Sequence, residues 1–200
     1  MKLVLATKNP GKVKELREIL AASGVEVISE AEAGADVTVE ETGSTFEENS
    51  LLKARAVMGA TGFPAVADDS GLVVDALGGA PGVYSARYGG KKTDAARTAL
   101  LLENLRDVPA ERRTARFVCA ITCCFPDGEI LRARGECEGV IAAQPAGTDG
   151  FGYDPVFFIP ALGRTFAELT AAEKNAISHR GKALALFSHL LCEESFHADK

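Results

Sequence analysis

Two short apolar runs separated by a pair of carboxylates organise the middle of this chain. Pro64-Ala65-Val66-Ala67 reads as a buried strand and Leu72-Val73-Val74 as a second, with Asp68, Asp69, Ser70 and Gly71 between them. In α/β sheets the strand ends and the loops beyond them collect ligands. Asp-Asp-Ser-Gly is also ordinary turn composition. The apolar sequence resumes at once, however, so the expectation is two strands flanking an acid pair at the end of the first. Side chains alternate along a strand, which predicts that Asp68 and Asp69 point to opposite sides, one to a cleft and one to a second shell or element. A glycine-rich segment, Gly78-Gly79-Ala80-Pro81-Gly82, follows directly.

The start of the chain repeats the theme of an apolar run feeding a polar loop. Lys2 to Ala6 reads as a strand, Thr7-Lys8-Asn9-Pro10-Gly11 as a loop, and Lys12 onward as a helix with Val13, Leu16 and Leu20 at helical spacing and Gly24 as its stop. A strand, a glycine-containing loop and a helix N-terminus together offer free N–H groups and a positive dipole end to an anion. Lys8 and Lys12 add charge, although the spacing is not that of a Walker A loop. Val25 to Ile28 reads as a further strand. Thr45 and Glu48 have capping-box spacing, which predicts a helix to about Met58 that carries Lys53. Sequence leaves Lys53 open between a site residue and a snorkelling surface lysine.

Beyond the acid pair, Thr93 to Leu105 has helical periodicity, and two β-type runs, 115–125 and 130–143, flank the hairpin signal Asp127-Gly128. The loop from Gly147 to Pro155 leads to a strand at Val156-Phe157-Phe158. Thr170 and Glu173 repeat the capping-box pattern. Ser178 is placed to cap a last helix with Leu184, Phe187 and Leu191 on its buried stripe and with His179 and Arg180 in its first turn. Long β-runs mixed with helices predict an α/β fold, and the hairpin predicts a mixed sheet.

Two hundred residues, 46% hydrophobic and 25% charged, suit one large domain or two joined lobes with a core that needs no staples. The formal net charge of −6 argues against a general nucleic-acid binder. No apolar run approaches the ~20 residues of a membrane span, and the opening apolar stretch is too short for a signal peptide. Both point to the cytoplasm. The five cysteines are odd in number and form no C-x-x-C pair, so core filling is expected of them rather than a disulfide scaffold or a zinc site.

The polar residues at element ends mix carboxylates with lysines: Thr7, Lys8, Asn9, Lys12, Glu40, Glu41, Lys53, Asp68, Asp69, Ser70, Asp154, Lys174, His179 and Arg180. That mixture suits a metal–polyphosphate substrate. Mg²⁺ takes one or two protein carboxylates and completes its shell with water and phosphate oxygens. Lysines and backbone N–H groups offset the remaining phosphate charge, and a further carboxylate can orient or deprotonate the attacking water.

Five segments in order carry a resemblance that spans nearly the whole chain: ATKNPGKVKEL, EETGSTFEENSLLKA, ADDSGLVVDALGGAPGVYSARY, GTDGFGYDPVFF and AELTAAEKNAISHRGKAL. With them the chain resembles the inosine triphosphate pyrophosphatase family, which acts on deaminated purine nucleotides. The resemblance implies an elongated, two-lobed, mixed-sheet α/β fold with a central cleft, a single domain over residues 1–200, a homodimer and a Mg²⁺ cofactor. The segment 192–200 lies past the family motifs and is expected to be disordered.

The same resemblance implies roles for individual residues. Thr7, Lys8, Asn9, Pro10, Gly11 and Lys12 form the triphosphate loop, with Lys53 as a further phosphate ligand. Asp69 is the principal catalytic and metal-binding carboxylate, with Asp68 beside it and Ser70 touching substrate. Glu40 is the better match for the second metal-associated acid, with Glu41 adjacent. Phe151, Gly152, Tyr153, Asp154, Lys174, His179 and Arg180 bind the nucleoside. Asp149 stands where the family more often has glycine, with an effect expected only on loop stiffness.

The implied reaction is hydrolysis of ITP, dITP or XTP to the monophosphate and pyrophosphate. A pyrophosphatase for modified pyrimidine nucleotides and a non-catalytic nucleotide-binding module are the alternatives. The acid pair disfavours the module, and His179-Arg180 with the FGYD loop favours purines.

Overall fold

The computed structural model describes residues 2–20 and 25–197. Seven strands hydrogen-bond in the order β2-β1-β3-β4-β5-β6-β7: β1 Lys2–Leu5, β2 Glu26–Ser29, β3 Ala65–Val74, β4 Thr114–Cys124, β5 Ile130–Ile141, β6 Phe157–Ile159 and β7 Arg164–Thr165. The five α-helices are α1 Pro10–Leu20, α2 Phe46–Thr61, α3 Asp94–Asn104, α4 Ala171–Ile177 and α5 His179–His197. β1 pairs in parallel with β2 and β3, whereas β6 is antiparallel to β5 and β7. The sheet is therefore mixed, as the hairpin predicts. At that hairpin Gly128 has φ 96° and its N–H donates to the Phe125 carbonyl.

The chain divides into two compact units. One holds residues 1–69, 119–135 and 180–200; the other holds 70–118 and 136–179. β3, β4 and β5 each pass from one unit into the other, and the chain crosses again between His179 and Arg180.

In the first unit Leu16 and Leu20 of α1 meet Leu3 and Leu5 of β1, Ile121 of β4 and the Leu184, Phe187 and Leu191 stripe of α5. A second cluster there sets Ala54 and Val57 of α2 against Val4, Ala65 and Ala67. Cys119 and Cys123 lie in the first cluster and Cys124 in the second. All five cysteines are free thiols and four are buried; burial pushes the Cys119 thiol up to about 12, so it is a packing group with little thiolate character. The second unit is built on Phe117, Phe157 and Phe166, with Phe117 and Phe166 stacked at 5.8 Å.

The capping boxes at Thr45/Glu48 and Thr170/Glu173 are both present. α2 runs three residues past Met58 and ends at Gly62, whose φ of 70° needs a glycine. α1 begins at Pro10 rather than Lys12, since proline's fixed φ and missing N–H suit the first helical position. Its expected stop, Gly24, lies outside the described residues. α5 continues to His197, past Cys192 where the sequence suggested an unstructured tail; residues 198–200 lie outside the described residues.

The main departure from expectation is at the acid pair. β3 is one ten-residue strand, and Asp68 and Asp69 sit in its interior rather than between two strands. Turn composition loses here because both carboxylates have cationic partners, so burial within a ladder leaves neither charge uncompensated.

Candidate active site

The loop between β1 and α1 is shaped by its own polar side chains. Thr7 Oγ1 accepts the Asn9 N–H at 3.3 Å, and Asn9 Oδ1 accepts the Lys12 N–H at 3.3 Å. Asn9 thus caps the helix that opens at Pro10 and Gly11, and the hydroxyl and amide of this motif set the loop's conformation. Lys12 and Lys8 diverge. Lys12 Nζ lies 2.8 Å from Asp68 Oδ2, whereas Lys8 Nζ pairs with Asp36 at 2.6 Å on an exposed surface.

Asp68 and Asp69 point to different partners, as strand alternation requires. Asp68 is fully enclosed, with Lys12 at 2.8 Å and Arg180 Nε at 3.5 Å from the same oxygen, Oδ2. Burial pushes its carboxyl up, but the charges of Lys12, Arg180 and Lys53 outweigh that and hold it well below the usual carboxylate range. Asp69 receives Lys53 Nζ on Oδ1 at 3.0 Å and Asn49 Nδ2 on Oδ2 at 3.4 Å. For Asp69 burial wins over Lys53 and Lys12, and its carboxyl is raised. Two adjacent acids are therefore pushed in opposite directions, one toward a permanent anion and one toward a stronger base.

Lys53 is no snorkelling lysine. Its ammonium bridges Asp69 and Glu41, the latter at 2.8 Å. Burial pulls its pKa down, but Asp69, Asp68 and Glu41 overcome this and raise it. Glu41 therefore joins Asp69 through a shared cation, while Glu40 beside it is exposed. Asn49, one turn before Lys53 on α2, is a site-forming residue that sequence reasoning passed over. The signal was its spacing: residues four apart share a helix face.

The donor set fits Mg²⁺. The Asp69 and Glu41 carboxylates are hard oxygen ligands, and this ion asks for only one or two of them. Among the described residues no cage of three or more His, Cys, Asp or Glu side chains is present, so a metal here would draw its remaining oxygens from water and phosphate.

The second unit carries its own polar cluster. Asp154 Oδ2 accepts from Lys174 Nζ at 2.8 Å and from the Phe151 N–H at 2.9 Å. A Cβ on Gly150 would fall 2.0 Å from that oxygen, so only glycine (φ 76°) lets the loop close on it. Lys174 is buried, and its ammonium lies 4.8 Å from the centre of the Phe151 ring, which is itself partly exposed. Tyr153 turns into the core, where its hydroxyl donates to the Ser85 carbonyl and burial raises its pKa. Gly152 donates its N–H to Asp94 at the start of α3. The His179 ring stacks on Phe117 at 4.7 Å. Asp149 donates its N–H to the Ala167 carbonyl. Ser70 follows Asp69 on β3, at the first position of the second unit.

The sequence-predicted residues thus assemble as two groups. In the first unit Lys12 and Arg180 meet Asp68 while Lys53 joins Asp69 to Glu41, and in the second Phe151, Asp154 and Lys174 meet. A model described as the Ham1 family matches residues 3–190. The chain belongs to the Ham1 family. A dITP/XTP pyrophosphatase of Exiguobacterium sibiricum is 56% identical over 185 residues, covering 92% of this chain and 93% of its own length. Among solved structures, a Ham1 protein from Coxiella burnetii superposes with a TM-score of 0.89 at 46% identity, covering 96% of this chain and 99% of its own. A nucleoside-triphosphatase / dITP/XTP pyrophosphatase from Mycobacterium abscessus is similar with a TM-score of 0.78 at 51% identity, over 94% of this chain and 98% of that one. Ham1 membership accords with the mixed seven-stranded sheet. Among the described residues no helix is long and apolar enough to cross a membrane.

Proposed function

We propose that this chain hydrolyses deaminated purine nucleoside triphosphates, ITP, dITP and XTP, to the monophosphate and pyrophosphate. The observation that carries the reading is Asp69, a buried carboxylate with a raised pKa, held by Lys53 on one oxygen and Asn49 on the other. A pure anion site would gain nothing from such a group, whereas water activation requires it. The names of the Exiguobacterium and Mycobacterium relatives point the same way.

In this reading the Thr7–Lys12 loop and Lys53 take the triphosphate. Asp69 orients the attacking water and accepts its proton. Mg²⁺, held by Asp69 with Glu40 or Glu41, would supply charge stabilisation on the phosphoryl oxygens. Asp68 keeps Lys12 and Arg180 in place. The nucleoside falls to Ser70, Phe151, Asp154, Lys174, His179 and Arg180. A donor aimed at the 6-keto oxygen of hypoxanthine or xanthine meets another donor if adenine enters, and the unpaired groups disfavour it. We further propose a homodimer working in the cytoplasm.

A panel of nucleoside triphosphates with Mg²⁺, with pyrophosphate and orthophosphate measured separately, tests the reading. Pyrophosphate release from dITP and XTP far above that from ATP is expected. Predominant orthophosphate would remove the pyrophosphatase assignment, preference for modified pyrimidines would replace the substrate class, and binding without turnover would make the chain a nucleotide-binding module.

A further inference from the structure

Asn49 lies on the second turn of α2 with no exposed surface at all, an environment that polar side chains occupy only when their hydrogen bonds are met. Its two polar atoms are committed in different directions. Oδ1 accepts the Gly43 N–H at 2.8 Å, and Nδ2 donates to Asp69 Oδ2 at 3.4 Å. Gly43 belongs to the segment that also carries Glu40 and Glu41. Its lack of a side chain is required, since a Cβ there would stand 2.7 Å from Asn49 Oδ1.

Four residues on, Lys53 makes the same connection by ionic means, with Asp69 on one side and Glu41 on the other. One face of α2 therefore grips both oxygens of Asp69 and ties each to the 40–43 segment. The helix itself is anchored at this point, because Ser50 Oγ meets the Thr122 hydroxyl of β4 at 2.8 Å and donates to the Glu47 carbonyl.

We infer that Asn49 is a positioning residue for the reaction: its amide fixes the orientation of the Asp69 carboxylate and sets it against the segment bearing Glu40 and Glu41. This deepens the proposed pyrophosphatase reading and rests on it. A carboxylate with one oxygen on Lys53 alone can rotate about its last bond. A neutral donor on the other oxygen removes that freedom without adding charge beside the base. Partners that orient a reacting carboxylate in this way typically contribute about 10–100-fold to activity.

The two bonds of Asn49 can be separated. Asn49→Asp keeps an acceptor for the Gly43 N–H and loses the donor to Asp69; Asn49→Ala loses both. With dITP as substrate, both variants are expected to lose about 10–100-fold in kcat while KM stays within about threefold. Binding of dITP without metal, read by thermal shift, is expected to match the parent protein, and circular dichroism reports the fold. Full kcat in Asn49→Asp would show that only the Gly43 bond matters and would overturn the inference. A rise in KM with kcat retained would overturn it too, placing Asn49 in substrate binding. Should Asn49→Asp not fold, Asn49→Ala decides, and an unchanged kcat overturns the proposal. Absence of pyrophosphate release by the parent protein would instead remove the functional reading, so the two failures are distinct.

Discussion

Lys12 Nζ lies 2.8 Å from Asp68 Oδ2, and the carboxylate it meets has no exposed surface. Arg180 approaches the same oxygen at 3.5 Å. One carboxylate oxygen thus holds a cation from the first helix and another from the last, and the compensation makes Asp68 an anion that resists protonation. Its neighbour Asp69 has burial as its dominant influence and keeps the higher pKa.

Replacing Asp68 by Asn leaves the buried Arg180 and the half-buried Lys12 facing an amide. Breaking a buried ion pair from one side costs about 3–5 kcal/mol, and denaturant unfolding of Asp68→Asn is expected to show a loss on that scale. The pH dependence has a definite sign. Native Asp68 holds its proton less tightly than an unfolded aspartate, which titrates at about 3.9. Its stabilisation is therefore complete above that value and is lost as pH falls toward the lower native value. The acid limb of the stability profile should flatten in Asp68→Asn; an unchanged limb would show that other carboxylates govern acid unfolding.

Asp69→Asn conserves volume and removes the proposed base. Turnover should fall by about 10²–10⁴-fold, while dITP still raises the unfolding temperature. Pyrophosphate release measures the first and thermal unfolding with and without nucleotide the second. Near-normal release would mean that Asp68 or a glutamate carries the reaction.

Lys53→Ala removes the cation shared by Asp69 and Glu41. Lys53 lowers the Asp69 pKa, so its loss should move that carboxyl further up. The base must be ionised to act, and the acid limb of kcat/KM against pH is therefore expected to shift to higher pH. Affinity for the triphosphate should weaken as well. An acid limb in the same place would detach Lys53 from the catalytic carboxylate.

Asp154→Asn strikes the second unit. The Lys174 ammonium loses its buried counter-charge and the Phe151 N–H its anionic acceptor. The Phe151 loop should loosen, which raises KM for dITP more than it lowers kcat. Steady-state kinetics decide, and a loss confined to kcat would place Asp154 with the reacting phosphates instead.

Arg180→Ala probes base selection. Discrimination between ITP and ATP is expected to shrink more than the maximal ATP rate changes. Because Arg180 also faces Asp68, an unaltered selectivity ratio would give it a purely electrostatic duty there.

Local sequence carried what depends on near neighbours. The stripe of Leu184, Phe187 and Leu191, the capping boxes at Thr45 and Thr170 and the hairpin at Asp127-Gly128 are short-range patterns, and each appears where its spacing placed it. The polar residues at element ends were legible in the same way, their roles being implied by the family resemblance alone, and so was the alternation that sends Asp68 and Asp69 apart. The partners were not. Nothing in sequence links Lys53 to Glu41 and Asp69, Lys12 to Asp68, or Lys8 to Asp36 across 28 positions.

The acid pair shows why. By composition Asp-Asp-Ser-Gly is a turn, and sequence alone determined only that two carboxylates with opposite orientations follow an apolar run. Whether they end a strand or continue it depends on charges brought from α1, α2 and α5. Those lysines and the arginine supply the energy that keeps two carboxylates inside a ten-residue strand. Tertiary structure likewise decided which acid has the raised pKa. The difference between Asp68 and Asp69 lies in how many cations reach each through a low-dielectric interior, and that depends on distance in space rather than along the chain.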